Sequence, residues 1–182
     1  MQPIATIETV IAFWKAAGDQ LWFGKDELFD ARCREGFLTT HEAAARGDLA
    51  GWAGSADGAL ALVLLLDQFP RNMFRGTPRA FATDAAALKL ADRAIERGYD
   101  ARVDPELRPF FYLPFMHAED IGAQERGVAL YADAGLDDNL GFAIEHRDII
   151  ARFGRFPHRN AILGRDTTEA EGKFLDEGGF AG

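Results

Sequence analysis

Residues 59–66 read Ala-Leu-Ala-Leu-Val-Leu-Leu-Leu, a run that is apolar on every helical face and is followed at once by Asp67 and Gln68. A surface helix or a half-buried strand keeps a polar side at its own period, and this run keeps none, so it is expected at the centre of the fold. It is far shorter than the roughly 20 residues a membrane span requires, and the N-terminal segment has no basic flank leading into an apolar core. Neither membrane insertion nor secretion is expected.

Around this run the chain keeps a helical period. Ile7, Val10, Ile11 and Trp14 share one face with Gly18 just beyond, and Phe29, Cys33 and Phe37 share another in a segment that Asp26 opens and Gly47 closes. The central helix is predicted from about Gly58 to Gln68, capped by Asp57 and stopped with the help of Pro70, with an ordered loop over 71–82. Thr83 is expected to cap a helix over 84–97, and prolines make the stretch from 105 to 116 short or kinked. Helices follow over about 118–134 and 139–153, and Thr168 and Glu171 have capping-box spacing ahead of a last one. The glycine-rich end, 178–182, is expected to be loose. No segment sustains two-residue alternation, so the expectation is one all-α domain over residues 1–182, an antiparallel helical array without a sheet. The lone Cys33 permits no internal disulfide and reads as core, which fits a cytoplasmic protein.

The net charge of −9 argues against nucleic acid as a partner. The positive charge is concentrated, however. Arg71, Arg75 and Arg79 fall in the acid-free stretch 69–83, and Arg147, Arg152, Arg155, Arg159 and Arg165 outnumber Glu145 and Asp148 in 145–165. These stretches share an echo: Phe-Pro-Arg-Asn at 69–72 and Phe-Pro-His-Arg-Asn at 156–160. A guanidinium fork suits carboxylate or phosphate, so an anionic small ligand is one reading, and ion pairs tying loops to helix ends are the other.

Candidate residues cluster in four groups. Asp67, Gln68, Arg71 and Asn72 form the first; His117, Glu119, Asp120 and Gln124 the second; His146, Asp148 and Arg152 the third; Arg155, His158, Arg159 and Asn160 the fourth. Helical spacing places His146 in a stripe with Phe142, Ile149, Ile150 and Phe153, where an imidazole requires a partner. His117, Asp120 and Gln124 form a polar line at i, i+3, i+7. Facing His146, that line would enclose two imidazoles and a carboxylate suited to acid–base work or a metal; facing water, it would be an ordinary solvated face. No HExxH, CxxC, phosphate-binding loop or GxSxG is present, and His146-Arg147-Asp148 lacks the asparagine a kinase catalytic loop requires, since Phe153 stands there.

The runs LLLDQFPRNMFRGTPRAFATD (64–84), FYLPFMHAED (111–120) and EHRDIIARFGRFPHRNAILGR (145–165), with VIAFW (10–14) and TTEAEGKFL (167–175), together resemble a bacterial family known as domain of unknown function 924. The resemblance implies an all-helical fold similar to tetratricopeptide-repeat proteins and implies no established reaction, substrate or cofactor. The chain departs at Ala118, where the family often carries serine.

The expectation is therefore a cleft that binds a small anion. His117, Asp120 and His146 are its candidate catalytic groups, and Asp67, Arg71, Asn72, Gln124, Asp148, Arg152, Arg155, His158, Arg159 and Asn160 its candidate ligand-binding groups. Whether turnover follows is left open, and no metal ligand set or cofactor is assigned. The alternative is a tetratricopeptide-repeat-like scaffold for a protein or peptide, with Trp22, Phe23 or Trp52 as anchors.

Overall fold

A computed structural model describes residues 3–180, and among them the chain is helical, with 73% of it in helix and no strand. No helix among the described residues is long and apolar enough to cross a membrane. The packing gathers into two compact units, residues 1–75 with 79–114, and residues 76–78 with 115–182.

The first unit is built on the apolar run. Helix α1 (Ile7–Trp22) starts at Thr6, whose hydroxyl accepts from the Thr9 amide. Gly18 does not end it: that residue takes a left-handed φ of 69° and kinks the chain, which remains helical to Trp22. The Trp22 indole N–H then donates to the Trp14 carbonyl at 2.7 Å. Helix α2 (Glu27–Arg46) opens at Asp26 and closes at Gly47 as expected. Helix α3 (Ala56–Val63) is capped by Ser55 and not by Asp57, and residues 58–63 are all buried. Helices α1 and α5 (Asp84–Glu96) pack on α3, while α2 packs on the residues that follow it, which places the apolar run at the centre of this unit. Trp14, Trp22, Phe29, Phe37, Phe69 and Phe110 close the core around it, with ring separations such as 4.8 Å between Phe37 and Phe69.

Pro70 does not stop the central helix. Residues Leu64–Gln68 form a π-helical turn, and the chain continues through Pro70 as α4 (Phe69–Met73). A π turn moves the acceptor of each amide one residue back, so the Phe69 amide bonds to the Leu64 carbonyl and leaves that of Leu65. Proline has no N–H for the Leu66 carbonyl. Side chains from elsewhere in the unit take up both: His41 Nδ1 donates to the Leu65 oxygen at 2.8 Å, and the Thr83 hydroxyl to that of Leu66 at 2.5 Å. Thr83 therefore does not cap α5, and the expected loop over 71–82 is partly helix, with a 3₁₀ turn at Pro78–Phe81.

The chain passes to the second unit within α6 (Leu113–His117), which follows a 3₁₀ turn at Arg108–Phe111. Helices α7 (Ile121–Asp133) and α8 (Asp137–Phe153) pack together, joined by residues 134–136. After Gly154 a 3₁₀ turn (Pro157–Arg159) leads into the short α9 (Asn160–Leu163) and then α10 (Glu169–Asp176), which carries the predicted capping box between Thr168 and Glu171. Ile149, Ile150 and Phe156 form a buried cluster with Phe153, Phe174 and Phe180 against it. The expected stripe on α8 is corrected at Phe142, which is 59% exposed while Ala143 is buried. The expected looseness of the tail fails at Phe180, whose ring is packed; Ala181 and Gly182 lie outside the described residues.

Candidate imidazole and guanidinium cluster

The candidate residues divide between the two units. Asp67, Arg71 and Asn72 lie in the first, where the π turn and α4 present them. Arg71 holds Asp84 with two parallel bonds of 2.9 and 3.0 Å, donates to the Asp67 carbonyl at 2.6 Å and lies 3.4 Å from the Asp67 carboxylate. Asn72 donates to the Gln68 carbonyl at 3.3 Å and accepts from Arg75 at 3.1 Å. In this group the guanidinium fork serves the protein's own carboxylates, the structural alternative weighed from sequence.

Every other candidate lies in the second unit. Arg155 grips Glu171 through Nε at 2.6 Å and Nη2 at 2.9 Å and donates to the Asp166 carbonyl at 2.7 Å. Glu171, 2% exposed, also accepts from Asn160 and from the Thr168 amide, and these donors hold its carboxyl down at about 2. Asp120 is an exposed cap of α7, accepting from the Ala123 amide at 2.8 Å, so its placement is explained by the helix end. Gln124 is buried and donates to the Met116 and Ala118 carbonyls at 2.6 and 2.8 Å, with no protein donor on its Oε1. Asp148 is exposed and pairs with Arg147 at 2.6 Å, while Arg152 is exposed and lies over Phe153 and Phe174.

His117, His146, His158 and Arg159 do come together, close enough for their charges to act on one another. Arg159 is 6% exposed, donates to the His117 carbonyl at 3.0 Å and lies 4.6 Å above the Phe156 ring. His146 is buried, and its Nδ1 is 2.7 Å from the Phe142 carbonyl, an acceptor only. That contact requires the proton on Nδ1 and leaves Nε2 of the neutral ring as an acceptor. Burial pushes His146 down to about 4, and the neighbouring His117 and Arg159 act in the same direction. His158 is lowered to about 4 by burial and then by Arg159 and His146. Its ring lies 5.6 Å from that of Phe156 and 5.1 Å from that of Phe180, and no protein group meets its buried Nδ1.

Glu119 and Arg165 both stand out in the sequence, but their pairing beside this cluster is not legible there. Glu119 accepts both arms of Arg165, at 2.7 and 2.9 Å, and also the Phe156 amide at 2.8 Å. Burial alone would raise its carboxyl, but Arg165 and the amide outweigh it and hold the group below the usual carboxylate range. The helical period of the polar line runs through the exposed Asp120 and passes Glu119 by. No group of three or more His, Cys, Asp or Glu side chains is placed to hold a metal ion among the described residues.

Fold and cluster together define an all-helical protein whose second unit buries imidazoles around a guanidinium. It belongs to the family described as "Bacterial protein of unknown function (DUF924)", whose profile matches residues 10–179. A solved structure of a protein of unknown function from Agrobacterium tumefaciens is 54% identical, covers 94% of this chain and 97% of its own, and superposes with a TM-score of 0.90. No curated protein matches the chain.

Proposed function

We propose that the second unit binds a small anionic ligand at His117, His146, His158 and Arg159, and that it does so as a receptor site in which Arg159 meets the charge and the His146 and His158 rings stay neutral. The observation that carries this reading is His158. A half-buried imidazole with one nitrogen shut away from solvent and from every protein donor loses about 1–3 kcal/mol relative to a satisfied one. Such a group is unusual unless a ligand or water completes it. Arg159 supplies the positive field that favours an anion there. His146 and His158, both near 4, carry no extra proton at neutral pH and so are not general acids there. The divided candidates narrow the site further, because Arg71 and Arg155 are committed to Asp84 and Glu171.

The alternative of a tetratricopeptide-repeat-like interaction scaffold draws less support. Of the aromatic anchors it would use, Phe23 is 63% exposed, whereas Trp22 is buried and Trp52 half-buried.

The test is a thermal-shift and calorimetric titration with inorganic phosphate and malonate on the full chain and on Arg159→Gln. A ligand at one hundred times its Kd stabilises the fold by about 2.7 kcal/mol. The reading expects a saturable rise in Tm for at least one anion, reduced at least tenfold in affinity by Arg159→Gln in a protein that still unfolds cooperatively. Anions that leave the wild-type Tm unchanged, or that bind the variant equally well, would overturn it.

A further inference from the structure

The chain turns back after α10 and lays an aromatic ring on the histidine pair. Gly178 has a left-handed φ of 87°, and the amides of Gly178 and Gly179 return to the Leu175 and Phe174 carbonyls at 3.1 and 2.9 Å. A Cβ on Gly179 would meet the Phe174 ring at 2.5 Å, so a side chain there would require that ring to move. The next residue, Phe180, places its ring centroid 4.4 Å from that of His146 and 5.1 Å from that of His158. Phe156 contributes a second ring, 5.6 Å from each imidazole.

This arrangement is chemically incomplete. His158 keeps a buried Nδ1 that no protein group meets, His146 keeps an acceptor Nε2, and both rings face a phenyl ring that has no hydrogen to donate. A ring of the same size with one O–H would keep the apolar contacts with Phe156, Ile149 and Ile150 and complete an imidazole as well. We propose that the His146–His158 pair is a subsite for a phenol-type group, a flat ring bearing a hydroxyl donor, and that Phe180 is a tethered occupant which such a ligand displaces. The inference deepens the anion-site reading and rests on it for the location. It adds the flat ring, which an inorganic anion lacks, and places the hydroxyl donor on it. Displacing Phe180 taxes the ligand, because only the fraction of molecules with the tail released is competent to bind.

The experiment uses the full chain with ¹⁵N-labelled histidine, following the ring nitrogens of His146 and His158 by NMR during titration with phenol and, separately, toluene. Phe180→Ala removes the occupant, and Phe180→Leu is the gentler second variant that keeps apolar cover over the cluster. The expected result is phenol binding at least tenfold tighter in Phe180→Ala than in wild type, with an imidazole nitrogen moving towards its hydrogen-bonded position. Phenol is also expected to bind at least tenfold tighter than toluene, the factor that one otherwise missing hydrogen bond contributes. Phe180→Leu should give the same order with a smaller margin. Phenol and toluene binding alike would reduce the feature to an apolar hole and overturn the proposal. No response in either variant would do so as well. Phosphate or malonate binding that depends on Arg159, without a phenol response, would sink this inference alone. A phenol response without any anion response would support the ring subsite and remove the anion from the broader reading.

Discussion

Phe69-Pro70-Arg71-Asn72 and Phe156-Pro157-His158-Arg159-Asn160 are nearly the same words placed in different surroundings. In both, the phenylalanine is fully buried and the asparagine accepts from a later arginine, Arg75 at 3.1 Å in one and Arg165 at 3.0 Å in the other. The first copy lies inside a continuous helix that a π turn and Pro70 have disturbed, and side chains from α2 and the residue before α5 meet each carbonyl thus released. The second copy is a 3₁₀ turn between helices, and it carries one more residue, His158. That inserted residue has a buried nitrogen that meets no protein group. A distorted backbone with its needs answered marks a structural hub. An added polar group with its need unanswered marks a place for something from outside.

The largest break in the comparison is expected from Arg71→Ala. Asp67 is fully buried and Asp84 partly so, and removing their common cation leaves the buried Asp67 charge uncompensated. A loss of about 3 kcal/mol follows, read from the urea midpoint, because breaking a buried pair costs more than the pair contributes. A loss below about 1 kcal/mol would show that the first copy is not the hub described.

Next in size, counted per residue, is the response to pH, which belongs to the second unit. In the unfolded chain an imidazole takes its proton near 6.5, whereas His146 and His158 do so only near 4 when folded. The unfolded state therefore binds more protons between those values, and stability falls as the pH is lowered from 6.5 towards 4. Each of the two contributes about 2 kcal/mol by pH 4.5. Glu171, held at about 2, adds a separate loss from 4.5 downwards. Urea midpoints from pH 7 to 4.5 measure this, and His158→Leu should make the curve shallower. An unchanged slope in that variant would mean that His158 is not held neutral by its surroundings.

Periodicity located the helices because burial on one face repeats with the helical turn, and caps such as Asp26, Thr168 and Glu171 act through neighbours three residues away. The π turn was not legible for the opposite reason. Its register depends on His41 and Thr83, which reach it from 24 and 17 residues away along the chain. Pro70 reads as a stop in isolation and is tolerated here because Thr83 takes the carbonyl it frees. In the second unit, charge and spacing singled out His146, His158 and Arg159, which do cluster. The same signals could not separate Arg155 and Asp120, committed to Glu171 and to the start of α7, from residues with a ligand to hold. The pairing of Glu119 with Arg165 joins residues 46 positions apart, and nothing local announces it.

The smallest effect sharpens the comparison most, because one chemical change should have opposite signs in the two places. His41 and His158 are both buried enough to be lowered in pKa, and leucine is close to histidine in volume. At position 41 the imidazole satisfies the Leu65 carbonyl that the π turn exposes, so His41→Leu leaves a buried acceptor unmet and should lower stability by about 1–2 kcal/mol. At position 158 the imidazole satisfies nothing in the protein, so His158→Leu removes an unmet group and keeps the apolar contact with Phe156 and Phe180. Its stability at pH 7 should be unchanged or raised by up to about 1 kcal/mol. Urea unfolding of the two variants side by side decides the matter. Equal losses at both positions would mean that His158 is as fully engaged within the fold as His41, and the distinction between hub and binding site would fall with it.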